Sequence, residues 1–164
     1  MKRRLILSCL ALVTLGLGAC KSSPKALDYT RVIARFFLEV QGSDGTLIQL
    51  PLSGVQIFVN PKPVLTEGDI VSVELVQVDL GKCLMFQMTS SAARDFYRLS
   101  TTNQGRRLVL TLDGVAAGAR RIDGAIANGI VYVFVERPDD SLVTLVDNLK
   151  RTSSAVQKEI ARKG

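Results

Sequence analysis

The 164-residue chain has no histidine, no tryptophan and only three cysteines. Without histidine it can build no Ser-His-Asp triad, no Cys-His dyad and no histidine-ligated metal site. Cys9, Cys20 and Cys83 show no C-x-x-C spacing, which excludes a four-cysteine zinc site and a thioredoxin-type redox motif. Gly114, Gly118, Gly124 and Gly129 fit neither G-x-G-x-x-G nor a P-loop. The carboxylates form no pair whose spacing supports acid–base work. The chain is therefore expected to be non-enzymatic, with no catalytic residue, no metal and no cofactor. A hydrolase using Asp or Ser without histidine is the competing, weaker expectation.

What is present begins with an address. Residues 1–20 read MKRRLILSCLALVTLGLGAC. Lys2, Arg3 and Arg4 form a basic n-region, residues 5–15 an apolar h-region, and small or flexible residues follow. This is the layout of a secretory signal peptide, and the apolar run falls short of the roughly 20 residues a spanning helix needs. Leu17-Gly18-Ala19-Cys20 resembles the bacterial lipobox. The resemblance implies a diacylglycerol on the Cys20 sulfur, cleavage between Ala19 and Cys20, and acylation of the new amino group. Residues 20–29 then form a short tether, and Lys21 rather than Asp favours the outer membrane by resemblance to enterobacterial lipoproteins. The expected location is the cell envelope, lipid-anchored and facing the periplasm.

This partition changes the meaning of the charge. Lys and Arg number 21 and Asp and Glu 15, a formal +6. Three cations lie in residues 1–19, and five cations with one acid lie in residues 150–164. Residues 20–149 are left with 13 basic and 14 acidic side chains. A near-neutral domain lacks the basic face that nucleic-acid binding needs, so no nucleic-acid partner is expected. The C-terminal cations have two readings: a solvated helix end that suits its dipole, or a contact with anionic membrane surface. Arg106-Arg107 and Arg120-Arg121 read as solvated pairs at strand ends or as a small basic patch. Cys83, alone once Cys9 and Cys20 are assigned, reads as a small buried hydrophobe, or as a nucleophile lacking a base.

The remainder reads as an α+β domain. Strands are expected over 31–40, 46–50, 55–59, 70–79, 82–88 and 107–112. The run 130–135 is the most apolar and is expected to be central. Asp113-Gly114 is expected to turn a hairpin. Thr89 or Ser90 should cap a helix over 90–102 that buries Ala92, Phe96 and Leu99 and ends at Asn103-Gln104-Gly105. A second helix should follow Pro138, capped by Asp139 or Asp140, with Leu142, Leu145, Val146, Leu149, Val156 and Ile160 on one stripe. Polar Thr152 and Ser153 interrupt that stripe, so packing should weaken beyond Lys150.

The order of elements over 64–149 resembles the head of the first periplasmic domain of SecD, a subunit of the bacterial protein-export translocase. The stretch from Thr101-Thr102-Asn103 and Gly105 through the strand into Asp113-Gly114 carries most of the resemblance. It implies a ferredoxin-like α+β fold: a small mixed or antiparallel sheet with two helices on one face. SecD conducts protons through six spanning helices. No comparable apolar run follows residue 20 here, so the chain resembles only the head, which in the family is thought to engage emerging polypeptide. Four segments follow: signal peptide 1–19, tether 20–29, head-like domain 30–150 and basic helix end or tail 151–164. The expected function is that of an envelope lipoprotein whose domain binds protein, either secreted polypeptide or the export machinery, by pairing strand edges. The alternative is a structural or adaptor lipoprotein with one dedicated envelope partner and no link to export.

Overall fold

The structure is a computed structural model that describes residues 28–163. The lipobox residues Leu17, Gly18, Ala19 and Cys20 lie outside the described residues. Among the described residues, eight strands and two helices follow one another in the order β1 (Ala34–Leu38), β2 (Thr46–Gln49), β3 (Gln56–Val59), β4 (Ile70–Val78), β5 (Gly81–Met88), α1 (Ser90–Thr102), β6 (Arg107–Leu112), β7 (Val115–Arg121), β8 (Ile130–Val133) and α2 (Asp139–Lys163). A 3₁₀ turn, Glu67–Asp69, leads into β4.

All pairings are antiparallel. One sheet has the order β1-β6-β7, a second β4-β5-β8, and β2 and β3 form a hairpin of their own. The two larger sheets meet just after β8, where Val135 bridges Gly118 of β7 and the Glu136 N–H donates to the Ala117 carbonyl at 2.7 Å. A Cβ at residue 118 would lie 2.1 Å from the Phe134 carbonyl oxygen. Only glycine lets the two backbones approach this closely. The hairpin hangs from β1, with the Val40 N–H donating to Phe58 and the Asn60 N–H to Leu38.

The helices share one face. Ala92 and Phe96 of α1 and Leu142, Leu145, Val146 and Leu149 of α2 join one buried cluster with Phe36, Leu84, Phe86, Leu108, Leu110 and Val133. Phe36 and Phe86 meet edge-to-face at its centre, ring centroids 5.0 Å apart. Leu50, Ile57 and Val59, from the hairpin and the residue after β2, cover the opposite face of β6 and β7 and bury Val109 and Ala116. The expected α+β architecture with two helices on one face is therefore present.

Several expectations are adjusted. The strand of the run 130–135 ends at Val133 and closes the β4-β5-β8 order, but Val135 and Glu136 join it to β7, so the run lies centrally where the two sheets meet. Val131 and Val133 enter the core, whereas Tyr132 and Phe134 point to the other side and are partly exposed. The strand buried on both faces is β6, which sends Leu108, Leu110 and Leu112 one way and Val109 the other. Neither Asp139 nor Asp140 is the cap of α2; both occupy its first turn, where they favour the dipole, and Asp139 pairs with Lys82 at 3.1 Å. Packing weakens as expected, but about one turn after Lys150: beyond Ser153 no described residue of α2 is buried. Thr152 and Ser153 are buried, and Thr152 Oγ1 accepts the Val32 N–H at 3.1 Å. Ile160, placed on the stripe by periodicity, is instead half exposed.

The residues before β1 are held mainly by side chains, though the Ile33 carbonyl also accepts the Asp113 N–H at 2.8 Å. The Thr30 N–H donates to Asn148 Oδ1 and the Ile33 N–H to Asp113 Oδ1. That is why the strand expected over 31–40 begins only at Ala34. Asp113 and Gly114 both have positive φ, 51° and 83°, as a tight hairpin turn requires. Thr89 caps α1 by accepting the Ala92 N–H at 3.2 Å.

Gly118→Ala should lower stability by roughly 2–3 kcal/mol, because the added methyl must force the sheets apart. Gly124→Ala, where a Cβ meets nothing within 4 Å, should be near neutral. Urea unfolding of the two variants checks the contrast.

Candidate functional site

The polar residues singled out by sequence do not converge. Asp113 is a turn residue whose carboxylate serves the Ile33 N–H. Cys83 is fully buried on β5, and burial pushes its thiol up, away from the reactive thiolate. Arg107 is not a solvated cation: its guanidinium and its N–H both donate to the Glu39 carboxylate. Arg121 reaches Asp123 only at 4.0 Å. Among the described residues, no three His, Cys, Asp or Glu side chains cluster closely enough to hold a metal ion.

Two carboxylates that periodicity could not single out fasten the fold. Glu39 is held below its ordinary value of 4.5 mainly by the Arg107 side chain. Glu136 accepts from the Leu52 N–H, the Ser53 N–H and Ser53 Oγ at 2.7, 2.9 and 2.6 Å, which anchors the turn between β2 and β3. Burial pushes the Glu136 carboxyl up, but these hydrogen bonds prevail and leave it lowered. Ser100 of α1, buried and accepting the Ile126 N–H at 2.9 Å, fixes the loop before β8.

The feature best suited to recognition is the free edge of β4. Its nine residues pair with β5 on one side only. The outer side of β1, by contrast, is occupied by Val64 and Leu65, which exchange hydrogen bonds with Phe36. Exposed edges are ordinarily blunted by lysine, proline or bulges. β4 contains neither lysine nor proline, and its irregularity lies at the start, between Ile70 and Ser72. Gln157 of α2 covers that start, donating to the Gly68 and Ile70 carbonyls at 2.9 and 3.1 Å. Beyond it, among the described residues, only the Gln77 amide reaches the β4 backbone from outside the ladder, at Val78. In an antiparallel edge every second residue points its N–H and C=O outward. The rest of β4 therefore offers main-chain partners to an incoming strand.

A groove of about 320 Å³ runs beside this edge, lined by Glu74, Leu75, Val143, Val146, Asp147 and Lys150. Leu75 and Val146 form its floor, and Val143, 66% exposed, forms an apolar rim on α2. Asp147 is engaged by Arg151 at 3.0 Å. Glu74 and Lys150 remain exposed as polar markers of opposite sign. The groove joins open backbone to apolar side-chain space, the two components of strand addition.

No family model matches the chain, and no curated protein matches it. Solved structures do. A structure described as a membrane component SecDF that enhances protein export shares 21% identity, with TM-score 0.57 over 75% of this chain and 63% of its own. SecDF in a super-membrane-facing form gives 21% identity and TM-score 0.58, over 75% of this chain and 19% of its own. SecDF from Thermus thermophilus, a translocon-associated membrane protein, gives 20% and 0.51, over 76% and 20%. The fold is similar to part of SecDF. The chain spans less than two thirds of each of these SecDF chains. Among the described residues, no helix is long and apolar enough to cross a membrane.

The Glu39–Arg107 pair carries a pH signature. A carboxyl whose folded value is depressed contributes stability above its unfolded value and loses it as pH falls through the folded one. The stability gap between the wild type and Glu39→Gln should therefore shrink as pH falls below 4.5. The pair is partly exposed, so added salt should narrow the gap at neutral pH as well. Urea midpoints across pH and salt measure both effects.

Proposed function

We propose that this chain is a lipid-anchored envelope protein with a SecD-head-like domain that binds extended polypeptide along β4. The observation that carries the reading is a nine-residue edge strand, open beyond its first residue, beside an apolar groove. Strand addition is tolerant of sequence, because the main chain supplies the hydrogen bonds and the groove asks only for an apolar side chain at alternate positions. That tolerance suits a protein that meets many unfolded chains. The likeness to SecDF, described for that protein as enhancing protein export, supports secreted polypeptide as the ligand class. The reading assigns the chain no catalytic step.

The anchor rests on the lipobox and its Cys20. Labelled palmitate should be incorporated by the wild type and not by Cys20→Ser, and only the wild type should stay with the membrane fraction. Equal labelling of both would remove the anchor from the reading.

A photo-crosslinking residue at Gln77, on the edge, should capture a spread of secreted precursors in the cells that make this protein. Val143→Lys should reduce that capture several-fold without unfolding the domain, since Val143 is exposed. A single captured species, present whether or not secretion is active, would favour the adaptor reading with one dedicated partner. Capture of nothing at the edge, with crosslinks formed from the partly exposed Tyr132 face, would sink the β4 assignment.

A further inference from the structure

We infer that the basic C-terminal end of α2 docks on an anionic lipid surface, so that the domain lies against the membrane that tethers it. The geometry of approach rests on the lipid-anchor reading; the charge recognition does not.

Three observations meet at this end of the molecule. The first is where the chain enters the fold. Asp28 pairs with Arg151 at 2.8 Å, and the Thr30 and Val32 N–H groups donate to Asn148 Oδ1 and Thr152 Oγ1. The incoming segment is thus fastened alongside the middle of α2, at Asn148, Arg151 and Thr152. Eight peptide steps separate Cys20 from Asp28, a reach under about 30 Å even when fully extended. A lipid on Cys20 therefore keeps α2, and with it the basic end, within reach of the bilayer.

The second observation is that the last turns of α2 are held in place. Gln157 is fixed on the carbonyls at the start of β4, and Ile160 Cδ1 lies 3.5 Å from where a Gly68 Cβ would stand. The cations beyond Gln157 project from a seated helix.

The third is the charge itself. Lys158, Arg162 and Lys163 lie in the last turns of α2 beside Glu159, whose carboxyl is lowered by Lys163 first, with Arg162 and Arg31 also acting on it; Arg31 acts on Glu67 as well. Lys163 engages Glu159 at 2.6 Å. Among the described residues, Arg31, Lys158 and Arg162 form no ion pair within 4 Å. A helix end that merely satisfied its dipole would need cations in its last turn only. Here cations from the last turns of α2 and from the entering segment share one region. An anionic headgroup layer attracts such a group over about a Debye length, roughly 8–10 Å.

The test uses the chain from residue 20 onward carrying Cys20→Ser, which contains both buried clusters entire. It is sedimented with vesicles of phosphatidylcholine alone, or of phosphatidylcholine mixed with phosphatidylglycerol. Binding should appear only with the anionic vesicles and vanish at high salt. Lys158→Glu, Arg162→Glu and Lys163→Glu together should weaken it by roughly tenfold or more. Arg106→Glu with Arg121→Glu, at the opposite end of β6, should leave it unchanged. Circular dichroism confirms that both variants stay folded. Equal binding to both vesicle types, no binding to either, or the same loss in both variants would overturn the inference. Because the protein tested carries no lipid, a negative result here is distinct from a failure of palmitate labelling.

Discussion

The close approach of two backbones at Gly118 is the constraint on which the architecture depends. Phe134 passes so near that residue 118 has no room for a side chain. Because the approach is possible, β7 and the residues after β8 bridge, and two three-stranded sheets act as one curved surface. One face of that surface is long enough to take both helices. Phe36 from one sheet and Phe86 from the other can then meet in a single core. With the sheets joined at β7 and β8, and the outer side of β1 occupied by Val64 and Leu65, β4 is left as the longest strand with an open edge. The candidate binding edge follows from how the sheets are joined.

Much of this was legible. Helix α1 is marked by Thr89 at its start and by apolar residues spaced four and three apart, because cap chemistry and helical periodicity are local. The Asp113-Gly114 turn is marked by two residues that tolerate positive φ. Less legible was which apolar run lies inside. Residues 130–135 are uniformly apolar, yet alternate members, Tyr132 and Phe134, stay partly exposed; β6 is less uniform but is packed on both faces. Burial of a strand depends on what comes from elsewhere in the chain to cover it, and composition carries no record of that.

Polar residues misled for a related reason. Thr152 and Ser153 look like a break in the apolar stripe of α2. Thr152 is buried because the Val32 N–H, which no strand serves, needs an acceptor there. Glu136 looks like a surface acid after a strand and in fact satisfies two N–H groups of a turn more than eighty residues earlier. Such side chains are selected by orphaned backbone groups that become neighbours only in the folded state. The β4 edge escaped notice in the same way: the sequence shows a strand, while its open side is a property of topology.

The two proposals share α2, and its length fixes their relation. Val143, at the groove, and Arg162, at the basic end, are separated by nineteen residues, about 28 Å of helix at 1.5 Å per residue. The groove and the basic end are therefore separate stretches of the same helix. The groove presents Glu74 and Lys150 in near balance, so headgroup charge has little net hold on it. Anchoring and recognition can thus be varied independently. Gln157, which links α2 to the start of β4, is where disturbance of one would reach the other.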